Sequence, residues 1–215
     1  MNVINRYTEK SLSRYEAISS EFPDLTKEST VVEFGCANGK TLREISDLHQ
    51  LVKIIGFDLE LSEDLGFESY QSDLNDFNFL KYGEIVGNSD VFLLLDVLEH
   101  LVNPWHFLDE LISNAKDGAK AIVICPNYAS VRSLHAYLLG ELPLNEFGFF
   151  DKTHLRWLTA NSLMGGLKVT GFVSSQSFIT SEKPLLRFVQ KLWPSRLCSQ
   201  FLLTLTIKSS CAKSE

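Results

Sequence analysis

The chain has 215 residues, 45% apolar and 22% charged, ordinary values for a soluble globular protein that can bury the core of one α/β domain. A net charge of −7 disfavours nonspecific nucleic-acid binding. No stretch approaches the ~18 consecutive apolar residues of a membrane span, since the run Val91 to Leu95 stops at Asp96.

The N-terminus has no charged-then-apolar signal pattern, and Cys36, Cys125, Cys198 and Cys211 are scattered without a C-x-x-C pair. A disulfide framework or zinc site is therefore not expected, and a reduced cytoplasm is. Charge is uneven. Glu182 to Glu215 holds six basic and two acidic residues, +4, so residues 1–181 carry −11.

In chain order, Leu12, Tyr15 and Ile18 give Asn5 to Ser20 the spacing of a leading helix. The β-branched run Thr30 to Phe34 predicts a strand ending at Gly35, and Lys40 to Leu48 a helix. Val52 to Phe57 is a second strand ending at Asp58. Glu68 to Gln71 is a weak third, and Asp90 to Leu95 a strongly apolar fourth. The connection from Asp58 to the third strand is close to the ~10-residue lower limit of a parallel crossover, so its helix is expected to be truncated.

Asn103 as N-cap, Pro104 at the first helical position and an apolar face of Phe107, Leu108 and Leu111 define the next helix, expected to stop near Asp117-Gly118. Lys120 to Cys125 is the fifth strand. Ser130 to Leu139 and Thr159 to Leu167 read as helices flanking an aromatic loop, Gly140 to Phe150. Val169 to Phe178 and Phe201 to Lys208 are late strands, and Pro184 to Trp193 is an amphipathic helix between them. Alternating strands and helices with continuous apolar strands imply a mostly parallel sheet covered on both faces.

The segment Glu33-Phe34-Gly35-Cys36-Ala37-Asn38-Gly39 turns a strand sharply into a helix, with small residues that let a nucleoside approach the backbone. Its spacing is not the G-x-G-x-x-G of dinucleotide binders. Glu33, Asp58, Asp73 and Asp96 stand at or near four successive strand ends. Four carboxylates would repel a pyrophosphate and suit a cationic sulfonium carrying an ammonium group. Asp58 lies 19 positions after Gly39, the spacing of an acid that grips ribose hydroxyls, with helix capping as the competing role. Asp73 could accept from an adenine amino group or serve a turn.

These residues resemble the class I S-adenosylmethionine-dependent methyltransferases, in particular small bacterial ones related to the ubiquinone-biosynthesis O-methyltransferases. Glu33 to Gly39 resembles their first motif, with Ala37 in place of the middle glycine. Ile55-Gly56-Phe57-Asp58 resembles their ribose motif, and Asp90 to Leu101, with its Leu98-Glu99-His100, their fourth-strand motif. Asp151-Lys152-Thr153-His154-Leu155-Arg156-Trp157 is similar to a segment of relatives often encoded with surface-glycan enzymes.

The resemblance implies one domain with a seven-stranded sheet of order 3-2-1-4-5-7-6, the last strand antiparallel. It would carry a leading helix over 1–22, a lid or substrate insertion over 126–160 and an amphipathic helix over 182–200. S-adenosylmethionine would contact Glu33, Gly35, Cys36, Ala37, Gly39, Asp58, Leu59, Asp73, Leu74 and Asp96. The expected activity is O-methylation of a small molecule or a carbohydrate precursor.

A hydroxyl nucleophile benefits from a base, and histidine is the natural one near neutral pH. His154, with Asp151 to orient it, and His100 are the candidates. The competing roles are a structural hydrogen bond for His154, and capping or packing beneath the cofactor for His100. The resemblance also implies a divalent-metal site at Asp96, Glu99 and His100, which is not the favoured reading. The amphipathic helix and the +4 tail suit a peripheral contact with an anionic membrane, but covering the sheet edge is the preferred role. An NAD(P)-dependent reductase on a related fold and a catalytically silent cofactor-binding subunit are the alternatives.

Overall fold

The computed structural model describes residues 14–49, 52–61, 65–169, 172–180 and 184–208. The start of the expected leading helix and Cys211 lie outside this range. The described part of that helix is α1 (Arg14–Ile18), continued by a 3-10 turn at Ser19–Glu21. There follow β1 (Thr30–Phe34), α2 (Lys40–Leu48), β2 (Lys53–Asp58) and β3 (Glu68–Gln71). Next come α3 (Gly83–Asn88), β4 (Val91–Leu95), α4 (Pro104–Asn114) and β5 (Lys120–Pro126). The last third holds α5 (Val131–Leu138), α6 (Ala160–Gly165), β6 (Phe172–Ile179), α7 (Pro184–Leu192), α8 (Pro194–Leu197) and β7 (Gln200–Ile207).

The strands form one sheet of order β3-β2-β1-β4-β5-β7-β6. β7 runs antiparallel to both its neighbours, and every other pairing is parallel. Alternate side chains enter opposite layers, because successive Cβ atoms leave a strand on opposite faces. Val32, Phe34, Phe92 and Leu94 join the layer under α4, where Phe34 meets Phe57 at 5.4 Å and Phe107 edge-on at 5.1 Å between ring centroids. Val31, Leu93 and Ile122 join the other layer, with Ile18, Leu42 and Ile45 of α1 and α2. Glu33 lies between Val32 and Phe34 on β1, so its side chain shares the face of Val31. That accident of parity buries a carboxylate.

Three elements depart from expectation. Helix α3, which the sequence does not announce, packs on α4 with only Val86 buried; Gly83 and Gly87 dilute its pattern. Helix α4 stops at Asn114 instead of near Gly118. Gly118 is left-handed (φ +80°) but serves the turn into β5, its N–H donating to Ile207 O at 2.9 Å. In the short crossover between β2 and β3 the described residues hold no helix at all.

Candidate active site

The carboxyl ends of β1, β2 and β4 open onto a cavity of about 450 Å³. Its floor is the turn after β1. The N–H groups of Gly35 and Cys36 both donate to Phe57 O, at 2.7 and 3.1 Å, which clamps the turn to β2. Gly35 is left-handed (φ +76°), and a Cβ there would sit 2.4 Å from Val97 Cγ2. Only glycine leaves this bend bare. Ala37 is also left-handed (φ +48°), so the departure from glycine carries backbone strain of about 1 kcal/mol beyond an added methyl. Gly39 does not line the cavity. It starts α2 at φ +70° with the Phe67 ring 2.5 Å from where its Cβ would be.

Asp58 closes the next side. Its Oδ2 accepts from Ala37 N at 2.7 Å and its Oδ1 from Glu60 N at 3.1 Å, which fixes the carboxylate plane. Each oxygen keeps a further lone pair for a hydroxyl donor. Leu59, Leu74 and Asp73 line the cavity as well. Asp73 Oδ1 accepts from Asn75 N at 2.8 Å and caps a 3-10 turn, so one of its oxygens is already committed.

The expected four-carboxylate rim is present but not four-fold negative. Asp96, itself left-handed (φ +56°), is ion-paired with Arg14 and accepts from Gln200 Nε2 at 2.8 Å. Burial pushes the Glu33 carboxyl up to about 8, against the pull of its Thr41 hydrogen bond. Its Oε2 has no hydrogen-bond partner among the described residues. A buried, unpartnered acceptor on a cavity wall, beside a bend that any Cβ would fill, matches a ligand with an ammonium group and a nucleoside.

The Glu33 shift has a consequence for stability. Between pH 4.5 and about 8 the folded chain holds a proton that the unfolded chain has released. Its contribution is fully present below pH 4.5 and lost as pH rises to about 8. Glu33→Gln is expected to remove this slope and be the more stable protein at pH 8, on the order of a few kcal/mol, with little difference at pH 4.5. Urea unfolding of both proteins across that range checks it, and parallel pH curves would refute it.

A second cavity of about 240 Å³ shares Arg14, Asp96, His100, Gly148 and Asp151 with the first. His154 lines this second cavity only. Its Nδ1 lies 3.0 Å from Tyr128 Oη, whose own proton goes to Phe149 O at 2.6 Å. Tyr128 can therefore only accept from His154, which puts the imidazole proton on Nδ1 and leaves a lone pair on Nε2. Burial, then the neighbouring His100, holds the His154 pKa below its usual value, so the ring is neutral at pH 7.

Asp151 does not orient His154 through its side chain. Its Oδ1 accepts from the N–H and hydroxyl of Thr153, at 2.8 and 2.6 Å. Thr153 in turn contacts His100 Nδ1 through its hydroxyl at 3.1 Å and its carbonyl at 3.2 Å. Beneath both histidines lies Glu99, fully buried, its Oε1 4.0 Å from His154 Nε2. Burial and then Asp96 raise its pKa well above the carboxylate range. Among the described residues, Glu99, His100 and His154 have ligand atoms that converge, within 4.8 Å of one another, so His154 stands where the resemblance put Asp96.

Sequence reasoning missed Arg14, Tyr128, Thr153 and Gln200. Arg14, Tyr128 and Gln200 come from three separate parts of the chain with no local spacing to signal them, whereas Thr153 stands between Asp151 and His154 in a segment the sequence does single out. The 126–160 segment contributes Phe147, Gly148, Asp151 and Thr153 to the lining of the main cavity. Leu155 and Arg156 N–H both donate to Glu99 O, at 2.8 and 3.0 Å.

Solved structures share this architecture. A SAM-dependent methyltransferase from Archaeoglobus fulgidus is 18% identical, with a TM-score of 0.51 over 84% of this chain and 86% of that one. The plantazolicin methyltransferase BpumL, solved with SAH and a monoazolic desmethylPZN analog, is 15% identical (TM-score 0.56, 84% and 76% covered). An O-methyltransferase family protein from Burkholderia thailandensis is 14% identical (TM-score 0.57, 87% and 54% covered). At such identities the likeness is one of fold. Among curated proteins no sequence matches. A family model described as a methyltransferase domain, however, matches residues 5–176. With that match, the sheet order and the cavity at its switch point, the chain belongs to the methyltransferase-domain family and is a class I enzyme that uses S-adenosylmethionine.

Proposed function

We propose that this enzyme methylates a hydroxyl of a small-molecule or carbohydrate acceptor, with His154 as the general base. The observation that carries the reading is the Nε2 lone pair of a neutral, nearly buried histidine on a second cavity that shares a wall with the first. The donor supplies an electrophilic methyl on a cationic sulfur.

The residues of the main cavity bind and orient it. Asp58 accepts from the ribose hydroxyls, and Asp73 faces the adenine amino group with its free oxygen. Leu59, Leu74, Cys36 and Ala37 pack on the nucleoside, and Gly35 leaves it room. Glu33 accepts from the ammonium, giving up its proton as it does so. Asp96 is held by Arg14 and Gln200 between the two cavities, where it marks the boundary of donor and acceptor. Gly39 acts from behind, setting the pitch of α2.

An acceptor hydroxyl in the second cavity hands its proton to His154 Nε2 as the oxygen–methyl bond forms. Asp151 is a positioning residue. It fixes Thr153, and Thr153 fixes His100, which lines both cavities. The loop at Phe147 excludes water from the transfer. Buried free thiols at Cys36, Cys125 and Cys198 fit a reducing, cytoplasmic setting.

Asp58→Ala removes two charge-assisted acceptors and the anchor of the Ala37 N–H. Affinity for S-adenosylhomocysteine is expected to fall about ten-fold or more, read by calorimetry. Unchanged affinity in a folded variant removes the ribose role. The acceptor class is tested by transferring labelled methyl from the donor into cell extracts, followed by mass spectrometry of the product. A label on nitrogen or sulfur overturns the reading.

A further inference from the structure

Helix α7 is exposed on nearly every side. Leu185, Leu186, Phe188, Val189 and Leu192 are exposed, Leu185 by 78% and Leu192 by 71%, and Trp193 follows them. The buried side chain is the polar one. Gln190 is only 7% exposed and donates through Nε2 to Leu197 O at 3.2 Å. The sheet-covering role expected of this helix is not seen, because among its described side chains, apolar and charged alike, only Gln190 is buried.

Helix α5 repeats the arrangement. Ala136 is its one buried residue, while Leu134, Tyr137, Leu138 and Leu139 beyond it are exposed. Helix α8 packs against both α5 and α7, so the two helices belong to one region. Arg196 Nη1 donates to Ala129 O at 3.0 Å and ties α8 to the start of α5. The loop after α5 adds exposed Leu142 and Leu144 and reaches the main cavity at Phe147. Monomeric proteins rarely leave so large an apolar surface bare.

Charge selects what covers it. Residues 184–200 contain Arg187, Lys191 and Arg196 and no acidic residue, in a chain whose net charge is −7. Arg132 adds a cation on α5, over the Phe149 ring at 5.0 Å. Glu141 and Glu146 are the acids of the intervening loop, and Glu146 is paired with Lys152. Two such cationic faces would repel each other across a dimer. An anionic lipid surface would take up the apolar side chains, while the cations of the polar side of α7 and of α8 add attraction to the negatively charged headgroups.

We propose that the α5–α7–α8 face docks on an anionic lipid bilayer and brings the cavity mouth at Phe147 to the membrane surface. The acceptor is then met at the interface, as a lipid or a lipid-carried hydroxyl compound. The docking itself stands independently of the methyl-transfer chemistry.

Co-sedimentation of the full chain with vesicles tests it. Binding is expected to phosphatidylcholine–phosphatidylglycerol vesicles at low salt, to fall as salt rises, and to be at least about ten-fold weaker to phosphatidylcholine alone. The triple variant Leu185→Ser, Phe188→Ser, Leu192→Ser is expected to bind roughly a hundred-fold more weakly while keeping its affinity for S-adenosylhomocysteine. Arg187→Gln and Lys191→Gln should each cost about five-fold on anionic vesicles only. This pair keeps the test sound if the triple variant fails to fold. No sedimentation with anionic vesicles overturns the proposal. So does undiminished binding by the variants, or a dimer in sedimentation equilibrium that the triple variant abolishes.

Discussion

Gly35→Val is expected to cut affinity for S-adenosylhomocysteine at least about a hundred-fold and to destabilise the chain by about 2–4 kcal/mol. Two independent causes act at this one atom. The backbone is left-handed at φ +76°, which a β-branched residue resists. The new Cβ would also stand 2.4 Å from Val97 Cγ2, on a segment that cannot retreat. Val97 follows Asp96, which is pinned by Arg14, by Gln200 and by its own N–H donating to Ile124 O at 2.9 Å. The extra methyl groups would further occupy the bare floor on which the nucleoside rests. Calorimetric titration and urea unfolding separate the losses. The double variant Gly35→Ala, Val97→Ala should recover the steric part and keep the cost of the left-handed backbone. Wild-type affinity in folded Gly35→Val would remove the bend from the cofactor site.

His154→Ala is expected to lower kcat by about 10²- to 10⁴-fold, the usual contribution of a positioned general base. Affinity for S-adenosylhomocysteine should be unchanged, because His154 lines the second cavity and not the first. The pH profile distinguishes catalysis from structure. The pKa of His154 is depressed below its ordinary 6.5, by burial first and by His100 next. A base must be unprotonated, so wild-type kcat should rise with pH through an apparent pKa below 6.5 and be flat at neutral pH. The variant should lose that limb. A purely structural histidine would instead lower stability and leave the limb in place. Tyr128→Phe removes the acceptor that holds the proton on Nδ1 and should cost less than the His154 change, with the limb retained.

Much of the cofactor side is legible in the chain because it is built from consecutive residues. The bend Gly35 to Gly39 follows from glycine spacing after a β-branched strand. Asp58 follows from its distance along the chain, and Asn103-Pro104 marks the start of α4. The acceptor side is assembled differently. His154 and Tyr128 lie 26 residues apart, Asp96 and Gln200 lie 104 apart, and Arg14 arrives from the opposite end of the chain. Nothing in the local pattern around any of them states the partner.

What the sequence determined by itself is therefore what depends on local backbone preference and on apolar periodicity: the strands, most helices and the glycine bend, with the sheet order supplied by the resemblance alone. What only the tertiary structure decided is the state of each ionisable group and the direction of each exposed face. Glu33 is one residue from Phe34 and looks like any acid at a strand end. Its pKa near 8 comes from the layer that strand parity turns it into. Helix α7 has the same amphipathic spacing whether or not something covers its apolar side, and only the exposure of Leu185, Phe188 and Leu192 shows that side left uncovered. Charge state and exposure are properties of the surroundings, and the surroundings are supplied by residues far away in the chain.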